Sequence, residues 1–409
     1  MSTQDAEGGL IARLNLEGAE GGPLAGLDVV VKDVFDIEGT VTSFGNPDWA
    51  RRHEPASSDA AVVARLRDAG ARITGKTVTV EFTFGLEGHN HWYGTPRNPA
   101  AVDHLPGGSS SGSASAVAAG IASVGLGSDT GGSVRIPASY CGLFGIRPSF
   151  GAISLAGAAR YVPSLDVAGW FARDPCTLRG VGRALLTGGA PLGGPVLLVR
   201  DAFDNAESPV AAALASACDA IARTGRGMVD VRLYPNGLDH LFTAQYTIHG
   251  REAWQSLGPW IEAVGPVMAE ETSSRFRAAS RIGAAETRAA RAAAETFRAR
   301  IRALLAGGGV LAFPTSPCPA PRRDADRATL EAVRHATQRV TAIAGLAGLA
   351  EITLPTSLCN GLPVGLSLAA APGCDHALLD LACDIWRETH YDPAYQAGDS
   401  HLDFGGLSR

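Results

Sequence analysis

Between Gly107 and Pro137 the chain carries two glycine–serine loops, Gly107-Gly108-Ser109-Ser110-Ser111-Gly112-Ser113 and Gly127-Ser128-Asp129-Thr130-Gly131-Gly132-Ser133-Val134-Arg135-Ile136-Pro137. The second loop lies between a short apolar strand, Ile121–Gly127, and a short helix near Val134–Tyr140, so this stretch has to fold as strand, loop and helix. Gly131 and Gly132 free the backbone to present consecutive amides, and the helix that follows favours negative charge at the loop. A serine in this setting is most often just a helix cap. Two further features weigh against that for Ser133: a second serine, Ser109, 24 residues upstream, and a lysine earlier in the same half of the chain.

Lys32 ends the run Val29-Val30-Val31-Lys32-Asp33 and is one of only two lysines; every other basic side chain is arginine. Arginine keeps its proton, whereas a buried lysine can lose it. The apolar residues before Lys32, with Val34-Phe35 after Asp33, predict burial, which lowers an amine's pKa toward neutrality and makes it a base. Lysine, two serines and glycine-rich backbone are the parts of a serine hydrolase that works without histidine.

The rest of the chain alternates strands with helices. Leu27–Val31, Arg72–Gly75, Val196–Val199, Val229–Leu233, Val310–Phe313, Glu351–Leu354 and Pro363–Ala369 read as strands. Ser58–Ala69, Pro209–Arg223, Thr329–Ala347 and Asp375 to about Arg387 read as helices, and residues 238–306 as mostly helical. This rhythm predicts one α/β domain. Residues 1–23 are polar and glycine-rich and read as a flexible tail. Ser113–Gly120 is small and helix-permissive.

Composition excludes several classes. A net charge of −6 offers no electrostatic reason for nucleic acid or an anionic membrane as partner. The arginine-rich stretch Arg275–Arg302 is interleaved with alanine, Glu286 and Glu295, and reads as a solvated amphipathic helix. No signal pattern or membrane span is apparent, and the seven scattered cysteines lack metal-ligand spacing. A cytoplasmic protein without a metal is expected.

Two look-alike motifs fail on context. Gly70-Ala71-Arg72-Ile73-Thr74-Gly75-Lys76-Thr77 has the spacing of a phosphate loop, but a helix precedes it and β-branched residues follow, the reverse of what phosphate binding needs. Lys76 is expected at a turn or a pocket edge. Gly108-Ser109-Ser110-Ser111-Gly112 matches a nucleophile elbow, but Asp103-His104-Leu105-Pro106 is a poor strand to lead into one.

Together these residues resemble the amidase signature. Val31-Lys32-Asp33, Gly107-Gly108-Ser109-Ser110 and the loop from Gly127 to Pro137 carry the resemblance. Ala69-Gly70-Ala71 with Gly75-Lys76-Thr77, Glu81-Phe82, Gly94-Thr95-Pro96-Arg97-Asn98-Pro99 and Cys141-Gly142-Leu143-Phe144-Gly145 support it. The match is dense over roughly residues 25–185 and resumes at Pro314-Thr315 and Gly361-Leu362-Pro363-Val364-Gly365. Ser111 stands where many members have glycine, and Arg147 where lysine is frequent.

The resemblance implies a single α/β domain over residues 24–395, a central mixed β-sheet covered on both faces by helices, with a C-terminal tail over 396–409. It implies Ser133 as the acylated nucleophile, Ser109 as a relay serine in a cis peptide, and Lys32 as the base. The backbone amides of Thr130, Gly131, Gly132 and Ser133 would form the oxyanion hole. No cofactor is implied, and the partner is a small amide substrate, bound by a monomer or homodimer. Within the family the chain is similar to short amidases that resemble plant indole-3-acetamide hydrolase, through Gly45-Asn46-Pro47-Asp48-Trp49, Tyr93 to Pro99, Ser139-Tyr140-Cys141-Gly142 and Gly169 to Asp174. An aryl or indolyl acetamide is thus the favoured substrate, with Phe44, Trp49, Phe82, Phe84, Ser110 and Tyr140 as candidate pocket residues. Alternatives are an amidotransferase subunit that passes ammonia on, or a hydrolase of urea-derived acids such as allophanate, which would need Arg160 or Arg135 to hold a carboxylate.

Overall fold

In a computed structural model of the chain, residues 8–234 and 237–390 are described. The first half runs β1 (Leu10–Leu16), β2 (Asp28–Lys32), α1 (Pro47–Ala50), α2 (Ala61–Asp68), β3 (Arg72–Thr77), α3 (Ser111–Ala118), β4 (Val124–Asp129), α4 (Arg135–Cys141), β5 (Phe144–Arg147), β6 (Val167–Ala172) and α5 (Pro175–Leu185). The second half runs β7 (Val196–Val199), α6 (Arg200–Asp204), α7 (Ser208–Ala213), α8 (Ala215–Arg223), β8 (Met228–Val231), α9 (Asp239–Val264), α10 (Glu270–Ser280), α11 (Ala284–Leu305), β9 (Val310–Pro314), α12 (Arg327–Ala347), β10 (Ala350–Cys359), β11 (Leu362–Ala370) and α13 (Asp375–His390).

All eleven strands form one mixed sheet in the order β1-β3-β2-β4-β6-β5-β10-β11-β9-β7-β8, flanked by helices. β3, β2 and β4 are mutually parallel, as are β9, β7 and β8; the strands between these sets pair antiparallel. Valines 29–31 of β2 are all fully buried, as expected of a strand covered on both faces. Burying each contributes about 1.5–3 kcal/mol relative to exposure. Because β2, β3 and β4 run parallel, Lys32, Thr77 and Asp129 all emerge at the same edge of the sheet, where open α/β sheets carry their sites.

The helix after the first loop, α3, is made of small residues and packs closely on β2 and β4. Gly112 shows why: a Cβ there would lie 2.4 Å from Gly9 O and 2.5 Å from Val78 N. α4 follows the second loop, is buried along its whole length, and packs on β5, β10 and β11.

Several expectations need correcting. Residues 10–16, placed in a flexible tail, form edge strand β1, paired antiparallel with β3, with Leu10 buried against Val30 and Ala116. β5, β6 and α5 did not stand out as elements. The helix placed over Pro209–Arg223 breaks at Leu214 into α7 and α8, and 238–306 is three helices. The stretch Arg275–Arg302 is not uniformly solvated: Arg275 is largely enclosed, with ion pairs of 2.8 Å to Glu87 and 3.1 Å to Glu331, while Arg277 and Arg288 face outward. Residues 391–409, including the C-terminal tail, lie outside the described residues. Among the described residues no helix is long and apolar enough to cross a membrane.

Candidate active site

Lys32 is fully buried at the end of β2. Its Nζ donates to Ser109 Oγ at 2.7 Å and to Ser128 Oγ at 2.8 Å. No carboxylate touches it among the described residues. Burial therefore dominates and pulls the amine down to about 7, while the more distant charges of Asp129 and Asp166 push it back up. Ser128 sits in the second loop and was given no role from sequence.

Ser109 is buried, and the Gly108–Ser109 peptide bond is cis. Its carbonyl accepts from the Val80 amide at 3.1 Å. The next residue ties the loops together: Ser110 N donates to Ser133 O at 3.3 Å, and Ser110 Oγ donates to Ser128 O at 3.2 Å. Ser110 thus braces the two loops against each other. The Ser133 side chain is nearly buried, yet its hydroxyl forms no hydrogen bond among the described residues.

Asp129 shapes the second loop. Its carboxylate accepts from the amides of Gly132 (3.1 Å), Val134 (3.0 Å) and Arg135 (3.3 Å). It also accepts from Arg135 Nε (3.0 Å), Arg135 Nη2 (2.7 Å) and Arg147 Nη1 (3.0 Å). Arg135 and Arg147 hold this buried carboxyl well below the usual carboxylate range. Gly132, at φ +123°, makes the turn that lets the loop fold back over Asp129. One expectation is corrected here: the Gly132 amide is committed to Asp129. The amides of Gly131 and Ser133 form no hydrogen bond among the described residues.

Arg135 is enclosed by Asp129 and Glu351 (2.8 Å) and is fully buried, so it is not free to hold a substrate carboxylate, while Arg160 is exposed, next to Ala159 and Tyr161 on the wall of a narrow cavity. Thr130 Oγ1 donates at 2.6 Å to Asp166, whose carboxyl burial pushes up to about 6. Lys76, expected at a turn or pocket edge, is buried at the end of β3 and lies 2.7 Å from Asp33 in an ion pair.

The aromatic candidates divide. Phe44 lines a narrow cavity beside Ser128 and Thr130, together with Val34, Tyr161 and Asp166. Phe84 lines a neighbouring one with Tyr246, His249 and Gln338. Trp49 and Phe82 line neither; they pack with Phe44 and Trp260 in a cluster of mostly edge-to-face contacts with centroid separations of 4.9–6.1 Å. Tyr140 packs on Ile136 and Ala320 and accepts from Ser316 Oγ at 3.2 Å. A cavity of about 420 Å³ lined by Glu81, Glu87, His89, Arg275 and Glu331 includes none of Lys32, Ser109 and Ser133.

The profile of the Amidase family matches residues 10–185 and 197–379. The chain belongs to the amidase family. It is similar to Amidase 1 of Arabidopsis thaliana, 38% identical over 390 residues that span 88% of this chain and 92% of that protein. Amidase 1 of Oryza sativa subsp. japonica is 36% identical over 403 residues, 89% of this chain and 91% of that one. A crystal structure of an amidase superposes with a TM-score of 0.81 at 31% identity, covering 90% of this chain and 85% of that chain. The protein is an amide-hydrolysing enzyme of the α/β class, and as an amidase it carries its serine loops and Lys32 on the parallel part of the sheet.

Proposed function

We propose that this amidase converts a small uncharged carboxamide, an aryl or indolyl acetamide being the favoured class, to carboxylate and ammonia through an acyl-enzyme on Ser133. The observation that carries the reading is the Lys32 amine. It is buried, free of any touching carboxylate, held near neutrality, and 2.7 Å from Ser109 Oγ.

Ser133 Oγ attacks the amide carbon as its proton passes to Ser109 Oγ and the Ser109 proton passes to Lys32 Nζ. The developing oxyanion is met by the free amides of Gly131 and Ser133, at the start of α4. Collapse breaks the C–N bond, and the relay run backwards protonates the departing nitrogen, which leaves as ammonia. Water then gives its proton to the same relay, attacks the acyl carbon and releases the carboxylate. The narrow cavity beside Ser128 and Thr130 is lined by Asp166 and by no cation, which favours an uncharged acyl group over an anionic one there. That lining disfavours an anionic urea-derived acid.

Ser133→Ala is expected to abolish ammonia release from indole-3-acetamide or benzamide while thermal unfolding stays close to wild type; retained turnover sinks the mechanism. Ammonia release across indole-3-acetamide, benzamide, glutamine, malonamate and allophanate tests the substrate class. A preference for allophanate or malonamate overturns the uncharged acyl group.

A further inference from the structure

α9 passes over the second serine loop and presents two residues one turn apart, Gln245 and His249. Gln245 is fully buried, and neither its Oε1 nor its Nε2 has a hydrogen-bond partner among the described residues. Buried side-chain amides are almost always paired, so an amide with both atoms free needs an explanation. Its direction supplies one. Nε2 lies 3.4 Å from the point where a Cβ on Gly131 would stand, and His249 Nδ1 lies 3.6 Å from the same point. Gly345 leaves room for the amide: a Cβ there would come within 2.8 Å of Gln245 Oε1.

His249 repeats the pattern. Its Nε2 shares a 2.8 Å hydrogen bond with Tyr161 OH, its ring stacks on Phe84 at 5.2 Å, and Nδ1 is buried without a partner. Burial, with Arg334 and Arg275 nearby, holds the imidazole down to about 3, so it is neutral at working pH. Thr83 Oγ1, on the wall of the narrow cavity beside Thr130, is likewise buried and unpaired. Around these atoms stand Phe44, Phe84 and Tyr161. The region is an aromatic wall with a few neutral, unsatisfied hydrogen-bonding atoms, of which Gln245 Nε2 and His249 Nδ1 face Gly131.

We propose that Gln245, with His249, determines specificity by hydrogen bonding an uncharged polar heteroatom on the substrate's acyl group as it lies against the Gly131–Ser133 loop. The inference rests on the reading of that loop as the site of acylation. A site with buried polar atoms rejects an analogue that leaves them unpaired, which is a larger discrimination than shape alone achieves. Gln245 Nε2 presents a donor toward the loop and the neutral imidazole adds one more polar atom, so uncharged acceptors such as ring nitrogens and hydroxyls are matched.

The test is kcat/KM by ammonia release for phenylacetamide and for analogues of the same ring size with a ring nitrogen, hydroxyl or amino group at each position. Wild type is expected to favour at least one polar analogue over phenylacetamide by tenfold or more. Gln245→Leu, and Gln245→Met as a second variant, are expected to lose at least tenfold more on that analogue than on phenylacetamide. Because the readout is a ratio of two substrates on one sample, it is independent of the fraction folded. A wild type with no preference for any polar analogue, or variants that keep the wild-type ratio, overturns the proposal. Turnover persisting in Ser133→Ala marks failure of the acylation reading instead.

Discussion

The two lysines of this chain stand on neighbouring strands and are equally buried, yet they have different partners. Lys32 ends β2 and meets only two hydroxyls, Ser109 and Ser128. Lys76 lies next to it on β3, opposite Val31 in the register, and forms an ion pair of 2.7 Å with Asp33. It also donates to Val41 O and Thr42 Oγ1, each at 3.1 Å. Burial alone therefore does not make a base. The partner decides, and Asp33, adjacent to Lys32 in sequence, pairs with the other lysine. β2 ends at Lys32, and Asp33 turns away from it to accept from the Ser43 amide at 3.0 Å and to meet Lys76. The residue that would have kept Lys32 protonated neutralises Lys76 instead.

The largest effect that separates the two is on catalysis. Lys32→Arg keeps the charge but cannot release the proton, and is expected to lower kcat by about 10²–10⁴, the range for loss of a positioned base. Lys76→Arg keeps its ion pair and is expected to retain kcat within about tenfold, since it takes no part in proton transfer. Equal losses in steady-state assays would falsify the division of roles.

Stability breaks the comparison from the other side. Asp33→Asn strands the Lys76 ammonium in the interior and is expected to lower unfolding free energy by about 3–5 kcal/mol, read from urea midpoints. The double variant Asp33→Asn with Lys76→Met removes the orphan charge and is expected to regain most of that loss. A single variant as stable as wild type would show that the pair contributes nothing.

The smallest effect is on pH dependence. Activity needs the neutral form of Lys32, so kcat/KM is expected to rise with pH through about 7, where burial has brought the amine. The Asp166 carboxylate holds that value up, so Asp166→Asn removes a raising influence and moves the acidic limb to lower pH. An upward move, or a limb unchanged in position, contradicts the assignment of the limb to Lys32.

The residues read as catalytic lie in local motifs, and their chemistry shows in short runs: a lysine after three valines, serines among glycines. Ser128 and Asp129 lie in the same motif, yet their roles were hidden, because a serine beside an amine and a carboxylate under a loop are defined by distance in space. The aromatic residues divide for a related reason. Phe44 and Phe84 line cavities while Trp49, Phe82 and Tyr140 pack, and composition does not distinguish a wall from a core. β1 was hidden by glycine-rich flanks, although Leu10, Ala12, Leu14 and Leu16 alternate with Ile11, Arg13 and Asn15 as an edge strand does.

The alternation of strands and helices, the burial of the valine strand and the placing of lysine and serines in tight motifs were determined by sequence alone, because period, propensity and turn chemistry are local. Which lysine is a base, which loop amides stay free, and which side chains of α9 face the loop were decided only by tertiary structure. Those properties depend on charges and hydrogen-bond partners from strands and helices up to some two hundred residues apart, such as Arg135 and Glu351 with |i−j| of 216. No local pattern carries that information.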